Sequence, residues 1–336
     1  MAYKRILFGT DGSPASLRAG AVAISLAKAG GAELIVAHVY EGRALADEIL
    51  AEAMAPAEAA GVKKLSGELR EGVPAETMAE LAEEKDVGLL VVSGGRGQRY
   101  NLGQVAQRLS HRAPCDMLIV SDAKRQTMIG RATFRKVMIA TDGSPTADRA
   151  ARKGFDLAES VDATVTLVFV GHPKTGELVT KDTIAVFAGD VPADAVMRQG
   201  DAADEILDAA DAADADLIVV GNKGMTGAKR FLLGSVPAKV SEYATRDVLI
   251  CRTVTQTVAE LDRGHGGIIV QHGEKLAAFM DEAGELHLLS AKCTHMGCTV
   301  GWNETEKVWD CPCHGSRFAA DGTVINGPAT RALPPA

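Results

Sequence analysis

The residues with the clearest potential for chemistry are two pairs of cysteine and histidine near the end of the chain. Cys293 and His295 stand in the run Cys-Thr-His-Met-Gly-Cys, and Cys311 and His314 stand in Cys-Pro-Cys-His-Gly-Ser, with fifteen residues between His295 and Cys311. Thiolates and imidazoles are ligands of transition metals. Two such pairs suit a [2Fe-2S] cluster in which one iron takes two thiolates and the other takes two imidazoles.

A tetrahedral zinc ion is the alternative, because two cysteines and two histidines also complete a structural zinc site. Four of the six cysteines fall within the last fifth of the chain, whereas a secreted disulfide scaffold spreads many cysteines through a shorter sequence. This clustering indicates a metal centre. A cluster with two neutral imidazoles accepts an electron at about −150 to +300 mV, compared with about −400 mV for four-cysteine plant-type ferredoxins.

The C-terminal stretch resembles the Rieske family. It has the runs C-T-H-x-G-C and C-P-C-H-G-S at the family's spacing, followed by a glycine-proline loop that is Gly327-Pro328 here. The resemblance implies a small antiparallel β domain and a [2Fe-2S] cluster. The ligands that it implies are Cys293 and Cys311 on one iron, and His295 and His314 on the other.

The same resemblance implies roles for residues around the ligands. Cys298 and Cys313 occupy the positions of a loop-clamping disulfide in the high-potential branch of the family, and two unpaired thiols in a reducing cytoplasm are the alternative. Ser316 is expected to donate a hydrogen bond to a bridging sulfide. The tyrosine that usually follows two residues later is Phe318 here, so we expect a reduction potential below that of respiratory Rieske proteins.

An internal repeat organises the chain before this segment. The run ILFGTDGSP at residues 6–14 returns as VMIATDGSP at residues 137–145, an offset of 131 residues. Within each repeat, short apolar runs alternate with alanine-rich segments of helical length, which is typical of a parallel sheet with crossover helices. The sequence therefore predicts two doubly wound α/β domains, each with a five-stranded parallel sheet, followed by the all-β domain.

A glycine-containing loop in the second repeat indicates a phosphate site. After the fourth predicted strand the sequence reads Gly221-Asn-Lys-Gly224, then nine residues, then Gly234-Ser235-Val236. Doubly wound sheets bind ligands beyond the carboxyl ends of their strands, where loops lead into helix N-termini. Glycines allow backbone amides to approach an anion, and Ser235 would add a hydroxyl at the start of a helix. Glycines that merely make turns are the alternative.

About the first three-quarters of the chain resemble the universal stress protein family. The resemblance rests on the tandem strand-Thr-Asp-Gly-Ser start, the glycine loop after an apolar LIVV strand and the closing DVLI strand. The glycine loop matches the motif of the ATP-binding branch. The resemblance implies that Thr141 and Asp142 contact the adenine and ribose side of ATP and that Val170 lines the adenine pocket. The implied phosphate cradle consists of Gly221, Gly224, Gly234, Ser235 and Val236.

The first repeat departs from this motif. It keeps the Thr-Asp pair, but its loop reads Ser-Gly-Gly-Arg-Gly over residues 93–97, and only five residues precede Gly103. Gln104 stands where the second repeat has Ser235. A loop four residues shorter with a long amide at this position should not wrap a triphosphate equally well. We therefore predict one competent nucleotide site, in the second repeat. Since paired domains of this family associate through edge strands, the first repeat is expected to be a built-in dimer partner.

Composition and charge exclude some classes of partner. The chain has 336 residues and a formal net charge of −8, and a nucleic-acid binder would instead need clustered lysine and arginine. No window reaches about 18 uninterrupted apolar residues, and no signal-peptide pattern opens the sequence. We expect a cytoplasmic protein without membrane or nucleic-acid partners. The predicted domains are residues 1–125 with the degenerate loop, 133–253 with the ATP motif and 258–336 with the cluster.

These observations predict an electron carrier or sensor rather than an enzyme with its own substrate. We predict no catalytic residue, because nothing marks a nucleophile, a hydrolytic base or a two-histidine-one-carboxylate iron site. The expected function is that of a stress-response protein with a Rieske cluster and bound ATP, acting as redox sensor or one-electron transfer adaptor. Expected partners are an adenine nucleotide, a redox protein and a second copy in a homodimer. The alternative is a ferredoxin-like component of a multi-subunit oxidoreductase or oxygenase system.

Overall fold

The computed structural model describes residues 3–42, 45–95, 102–121, 134–222, 233–252, 258, 261–271, 274–303, 306–311 and 313–336. The chain divides into two compact units, Met1–Thr253 and Val254–Ala336. The first unit contains both repeats, and the second contains the cysteine-histidine pairs. The domain boundaries proposed from the sequence stay a prediction.

Each repeat alternates strands and helices along the chain. The first contains β1 (Arg5–Thr10), α1 (Pro14–Gly30), β2 (Glu33–Tyr40), α2 (Ala46–Ala59), β3 (Leu65–Glu71), α3 (Pro74–Glu84), β4 (Leu89–Ser93), α4 (Gln104–Arg112) and β5 (Asp116–Val120). The second contains β6 (Lys136–Thr141), α5 (Pro145–Ser160), β7 (Thr164–Val170), α6 (Pro173–Phe187), β8 (Ala193–Arg198), α7 (Ala202–Ala212), β9 (Leu217–Gly221), α8 (Ser235–Tyr243) and β10 (Asp247–Cys251).

The ten strands form one sheet in the order β3-β2-β1-β4-β5-β10-β9-β6-β7-β8. Within each repeat every pairing is parallel, which confirms the predicted doubly wound architecture. The edge strands β5 and β10 pair antiparallel and join the two five-stranded halves. The first repeat thus pairs with the second in the manner expected of a built-in partner.

Side-chain caps explain where the helices after the first strands begin. The Ser13 hydroxyl accepts a hydrogen bond from Ser16 N at 3.2 Å, and the Ser144 hydroxyl accepts one from Ala147 N at 3.1 Å. A proline follows each capping serine, at a position whose missing N–H costs no helical hydrogen bond. The repeated Asp-Gly-Ser-Pro run therefore ends a strand and starts a helix in both repeats.

Helices cover both faces of the sheet. One face packs against α1, α2, α5 and α6, and the other packs against α3, α4, α7 and α8. The apolar strand residues are buried because both faces are covered, as in other parallel sheets. Within each repeat, the carboxyl ends of the strands and the N-termini of the following helices share one edge, and the antiparallel β5–β10 pairing places these edges of the two repeats on opposite sides of the sheet. None of the described helices is long and apolar enough to cross a membrane.

The second unit is antiparallel throughout its two described sheets, as predicted. One sheet contains β11 (His265–Gln271), β12 (Glu274–Met280) and β13 (Leu286–Ser290), and the other contains β14 (Gly301–Asn303), β15 (Val308–Asp310), β16 (Arg317–Phe318) and β17 (Val324–Asn326). Trp309 and Phe318 are fully buried at paired positions of β15 and β16. Trp302 packs edge-on against Trp309, with ring centroids 4.8 Å apart.

Candidate functional site

The two cysteine-histidine loops share one backbone pattern. The first follows β13, and the second connects β15 to β16. Cys293 N donates to the Cys298 carbonyl at 2.8 Å, and Cys311 N donates to the Ser316 carbonyl at 2.8 Å. Each loop is therefore closed between a cysteine and the fifth residue after it. The sequence folds two separate segments into equivalent ligand-bearing loops.

A glycine in each loop completes this pattern. Gly297 N donates to the Cys293 carbonyl at 2.8 Å, and Gly315 N donates to the Cys311 carbonyl at 3.0 Å. Gly297 has φ of 72° and Gly315 has φ of 76°, and no atom lies within 4 Å of a Cβ built at either position. The requirement for glycine is thus conformational rather than steric.

The cysteines and histidines of the two pairs differ in burial. Cys293 and Cys311 are each 2% exposed, whereas His295 and His314 lie at the surface. The two imidazole rings are nearly perpendicular, with centroids 4.9 Å apart. Two buried thiols and two adjacent exposed imidazoles on the same pair of loops fit the donor set of a [2Fe-2S] cluster with one thiolate-bound and one histidine-bound iron.

Two further cysteines connect the loops. The sulfur atoms of Cys298 and Cys313 lie at bonding distance, and their Cα atoms are 6.6 Å apart, within the range of disulfides. With the Cys311 sulfur they form a group within 4.8 Å of one another. A disulfide between Cys298 and Cys313 removes both sulfurs as thiolate ligands. The donors that remain in the two loops are then the two cysteines and two histidines named from the sequence.

Ser316 and Phe318 lie beneath the second loop. Ser316 is fully buried, and its Oγ accepts a hydrogen bond from Ala329 N at 3.0 Å. Ala329 directly follows Gly327-Pro328, whose peptide bond is cis. Because the Ala329 bond uses a lone pair of the hydroxyl, the Ser316 proton remains available for donation. Phe318 carries no donor at its buried position.

The loop after β6 orders the Thr-Asp pair of the second repeat. Gly143 N donates to Thr141 Oγ1 at 3.2 Å, and Ser144 N donates to Asp142 Oδ1 at 3.0 Å. Thr141 is buried and Asp142 is exposed. Burial and then the charge of Asp142 raise the pKa of Asp148, which lies in the first turn of α5. Carboxylates therefore face the edge of the sheet beside the start of this helix.

The glycine loop reaches the same edge. Gly221 ends β9, Gly234 N donates to the Asn222 carbonyl at 2.9 Å, and α8 begins at Ser235. Gly224 lies outside the described residues. Val236 packs against the core on the face covered by α7 and α8. The structure brings the following predicted nucleotide residues to one edge of the second repeat: Thr141, Asp142, Val170, Gly221, Gly234 and Ser235.

The corresponding loop of the first repeat has the same closing backbone hydrogen bond but a different residue at the start of the following helix. Gly103 N donates to the Gly94 carbonyl at 2.6 Å, as Gly234 does to Asn222. Helix α4 begins at Gln104, whose side chain is exposed. A long amide therefore stands at the helix start where the second repeat has a serine.

One residue near the predicted nucleotide site, Arg198, was not predicted from the sequence. Arg198 ends β8 and pairs in register with Val170 at the end of β7. Its Nε is buried and has no hydrogen-bond partner among the described residues. The available signal was a charged residue at the last position of a predicted strand, close to the ligand-binding edge.

Comparison with protein families assigns both units. The description "Universal stress protein family" matches residues 2–121, 133–183 and 173–252, and "Rieske [2Fe-2S] domain" matches residues 251–335. The first set of matches covers more than half of the chain. The chain belongs to the universal stress protein family and carries a C-terminal Rieske [2Fe-2S] domain.

Individual relatives match one unit or the other. YhfW of Bacillus subtilis, whose name describes a Rieske 2Fe-2S iron-sulfur protein, is 49% identical over 74 residues, which are 22% of this chain and 14% of that protein. A cytochrome b6-f complex iron-sulfur subunit of Synechococcus sp. (strain JA-3-3Ab) is 60% identical over 45 residues, 13% of this chain and 26% of that subunit. The chain thus spans only a minor part of the length of these curated relatives.

A solved structure supports the fold of the first unit. The crystal structure of a universal stress protein from Archaeoglobus fulgidus DSM 4304 superposes with a TM-score of 0.58 at 20% identity. The superposition covers 74% of this chain and 98% of that chain. At this identity the likeness establishes the tandem architecture alone.

Proposed function

We propose that this stress protein acts as a redox sensor or one-electron transfer adaptor in the cytoplasm and binds ATP through its second repeat. The observation that carries the proposal is the burial of Cys293 and Cys311 together with the adjacent, exposed rings of His295 and His314 on the same two loops. Imidazole ligands at the surface give a partner protein close access to the redox centre. The acidic composition of the chain favours a protein or small-molecule partner over nucleic acid.

The residues of the two loops have separate roles in this proposal. Cys293 and Cys311 would hold one iron through their thiolates, and His295 and His314 would hold the other through their imidazoles. A bound [2Fe-2S] cluster would supply a one-electron couple between about −150 and +300 mV. The Cys298–Cys313 disulfide holds the loops together. The Ser316 hydroxyl accepts from the Ala329 backbone N–H and would have its proton free to donate to a cluster sulfide.

The second repeat would hold ATP as a ligand along the edge of the sheet. Backbone N–H groups at the start of α8 and the Ser235 hydroxyl are suited to phosphate, because a helix N-terminus favours negative charge. Thr141, Asp142 and Val170 lie at the neighbouring strand ends, where the base and ribose would bind. The long amide of Gln104 supports the proposal that the first repeat serves as a partner domain instead.

Purification under anaerobic conditions tests both parts of the proposal. The protein should contain two irons and two acid-labile sulfides per chain and release ATP on denaturation. Cys293→Ser and His295→Ala should abolish iron binding. His287→Ala is the matched control, because His287 is an exposed histidine of the same unit that pairs with Asp281 outside the two loops. Iron content that survives Cys293→Ser, or is lost equally in His287→Ala, would contradict the ligand assignment.

A second candidate function is an electron-transfer component of a multi-subunit system. The 60% identity over 45 residues to a subunit of the cytochrome b6-f complex favours it, since that relative is named as part of an assembly. Reduction of the purified protein by a ferredoxin reductase, followed by electron delivery to an oxygenase or oxidoreductase, would support this role. A cluster whose oxidation state instead changes the binding of a partner protein, without turnover, supports the sensor.

A further inference from the structure

Arg198 occupies the face of the sheet that carries the proposed nucleotide site. It pairs in register with Val170, and side chains at paired positions of neighbouring strands project from the same face. Val170 packs against the core on the face covered by α7 and α8. Val196, two residues before Arg198, packs on the same face. Met197 projects to the opposite face, next to Gly176 of α6. Arg198 therefore shares both a face and an edge with the start of α8.

One N–H donor of the Arg198 guanidinium, at Nε, lacks a hydrogen-bond acceptor among the described residues. The guanidinium forms no ion pair among those residues, and its Nε is buried. A buried donor without an acceptor carries a desolvation cost, so such a group indicates a missing partner.

The equivalent arginine of the first repeat has its partners. Arg70 pairs in register with Val39 of β2, the counterpart of the valine beside Arg198. Its guanidinium lies 3.1 Å from the Glu68 carboxylate and 3.1 Å from the Glu84 carboxylate. The strand-end arginine is thus neutralised in the repeat with the degenerate loop. Arg198, in the repeat with the glycine motif, has no such carboxylate partner among the described residues.

We propose that Arg198 is a ligand-binding residue that donates hydrogen bonds to the base and ribose end of a purine nucleotide. The inference rests on the proposed nucleotide site, with phosphates at the start of α8. A guanidinium offers five N–H donors and no acceptor, and ring nitrogens, exocyclic oxygens and ribose hydroxyls provide acceptors. Register with Val170 puts Arg198 at the end of the site away from Ser235.

The test measures dissociation constants of the full-length holoprotein for ATP and for adenosine, by competition against a fluorescent ATP analogue. Arg198→Met should weaken both ligands by a similar factor, about 10- to 100-fold, because both carry the base and ribose. Arg198→Lys should recover part of the affinity. Ser235→Ala should weaken ATP and leave adenosine unchanged. Arg70→Met is the matched control and should bind both ligands within about twofold of wild type.

The outcomes distinguish a failure of the role proposed for Arg198 from a failure of the proposed nucleotide binding. If the wild type binds neither ligand, the nucleotide function itself is wrong. If it binds both but Arg198→Met keeps wild-type affinity, or loses affinity for ATP alone, the base-end role of Arg198 is wrong. Without nucleotide, Arg198→Met should melt no lower than the wild type, because the substitution removes a buried donor that lacks an acceptor. A lower melting temperature would indicate a structural role and overturn the inference.

Discussion

Lys153 Nζ lies 2.8 Å from Asp116 Oδ2, and the two residues belong to different repeats. The Asp116 side chain is completely buried. It also accepts hydrogen bonds from the Tyr3 hydroxyl at 2.9 Å and from Arg252 N at 2.6 Å. This carboxylate therefore joins the repeats at the β5–β10 junction.

The opposite side of the junction is built differently. Asp247 is the counterpart of Asp116 at the offset of 131 residues, and it accepts from Ser121 N at 3.0 Å. The counterparts of the lysine and the tyrosine are Val22 and Phe134, which have no side-chain donor. Among the residues that the structure describes, the ammonium and phenol contacts are therefore found on the Asp116 side of the junction. This asymmetry favours pairing of the first repeat with the second over pairing of identical repeats.

Lys153→Met should destabilise the first unit by about 3 kcal/mol, because it removes the ammonium that pairs directly with the buried Asp116 carboxylate. Chemical denaturation followed by far-UV circular dichroism measures the change in the free energy of unfolding. Lys181→Met is the control, since Lys181 is exposed on α6, and it should change stability by less than about 0.5 kcal/mol. Equal effects of the two substitutions would refute the role of the buried pair.

Ser316→Ala should lower the reduction potential by about 20 to 60 mV, the equivalent of one neutral hydrogen bond to the reduced centre. Ser316→Thr, which keeps the hydroxyl, should stay nearer the wild-type value. Spectroelectrochemical titration measures both. A potential unchanged by the loss of the hydroxyl would show that Ser316 serves only to accept from Ala329 N.

Removal of the Cys298–Cys313 link should loosen the cluster loops. The two cysteines are separated by 15 residues, and closure of a loop of this size stabilises a folded chain by about 3 kcal/mol. The double variant Cys298→Ser and Cys313→Ser should therefore release iron faster in moderate urea. Dithiothreitol should speed release from the wild type and leave the variant unchanged. Identical rates with and without reductant in the wild type would contradict the disulfide.

Glu68 should contribute fully to stability above the pKa that it has in the unfolded chain, and progressively less below it. Partial burial alone would raise its pKa, but the hydrogen bond and charge of Lys85, followed by Arg70, lower it below the ordinary value of 4.5. A carboxylate with a lowered pKa stabilises the fold above its unfolded pKa, and this contribution disappears as the pH falls through the folded value.

The corresponding experiment compares the wild type with Glu68→Gln between pH 3 and pH 7. The wild type should be more stable at pH 7 by up to about 1 kcal/mol, as is usual for partly exposed ion pairs. The difference should shrink toward zero as the solution is acidified below pH 4.5, and it should fall with added salt. A difference that grows on acidification has the wrong sign for this assignment.

Apolar runs predicted the sheet well because its strands are buried on both faces. The apolar run over residues 164–170 coincides with β7, whereas β8 begins with Ala193 and Asp194, which are partly exposed or exposed at the edge of the sheet. The two cysteine-histidine loops were identified from residue types and spacing alone. Their equivalence in hydrogen bonding required the folded backbone.

Contacts between distant segments could not be predicted. Nothing local in the sequence pairs Asp116 with Lys153, because their meeting depends on the antiparallel register of β5 and β10. The same holds for Arg198, whose lack of a carboxylate becomes apparent only beside the paired Arg70. The disulfide came from family resemblance, since spacing alone left free thiols open.

Electron paramagnetic resonance of the reduced protein tests most directly whether the chain holds a [2Fe-2S] cluster with two histidine ligands. Anaerobically purified protein labelled with ¹⁵N-histidine should give a signal coupled to two imidazole nitrogens, and His314→Ala should abolish that signal while His287→Ala preserves it. A colourless preparation that contains zinc and gives no signal after reduction would show that the two loops hold zinc and not a [2Fe-2S] cluster.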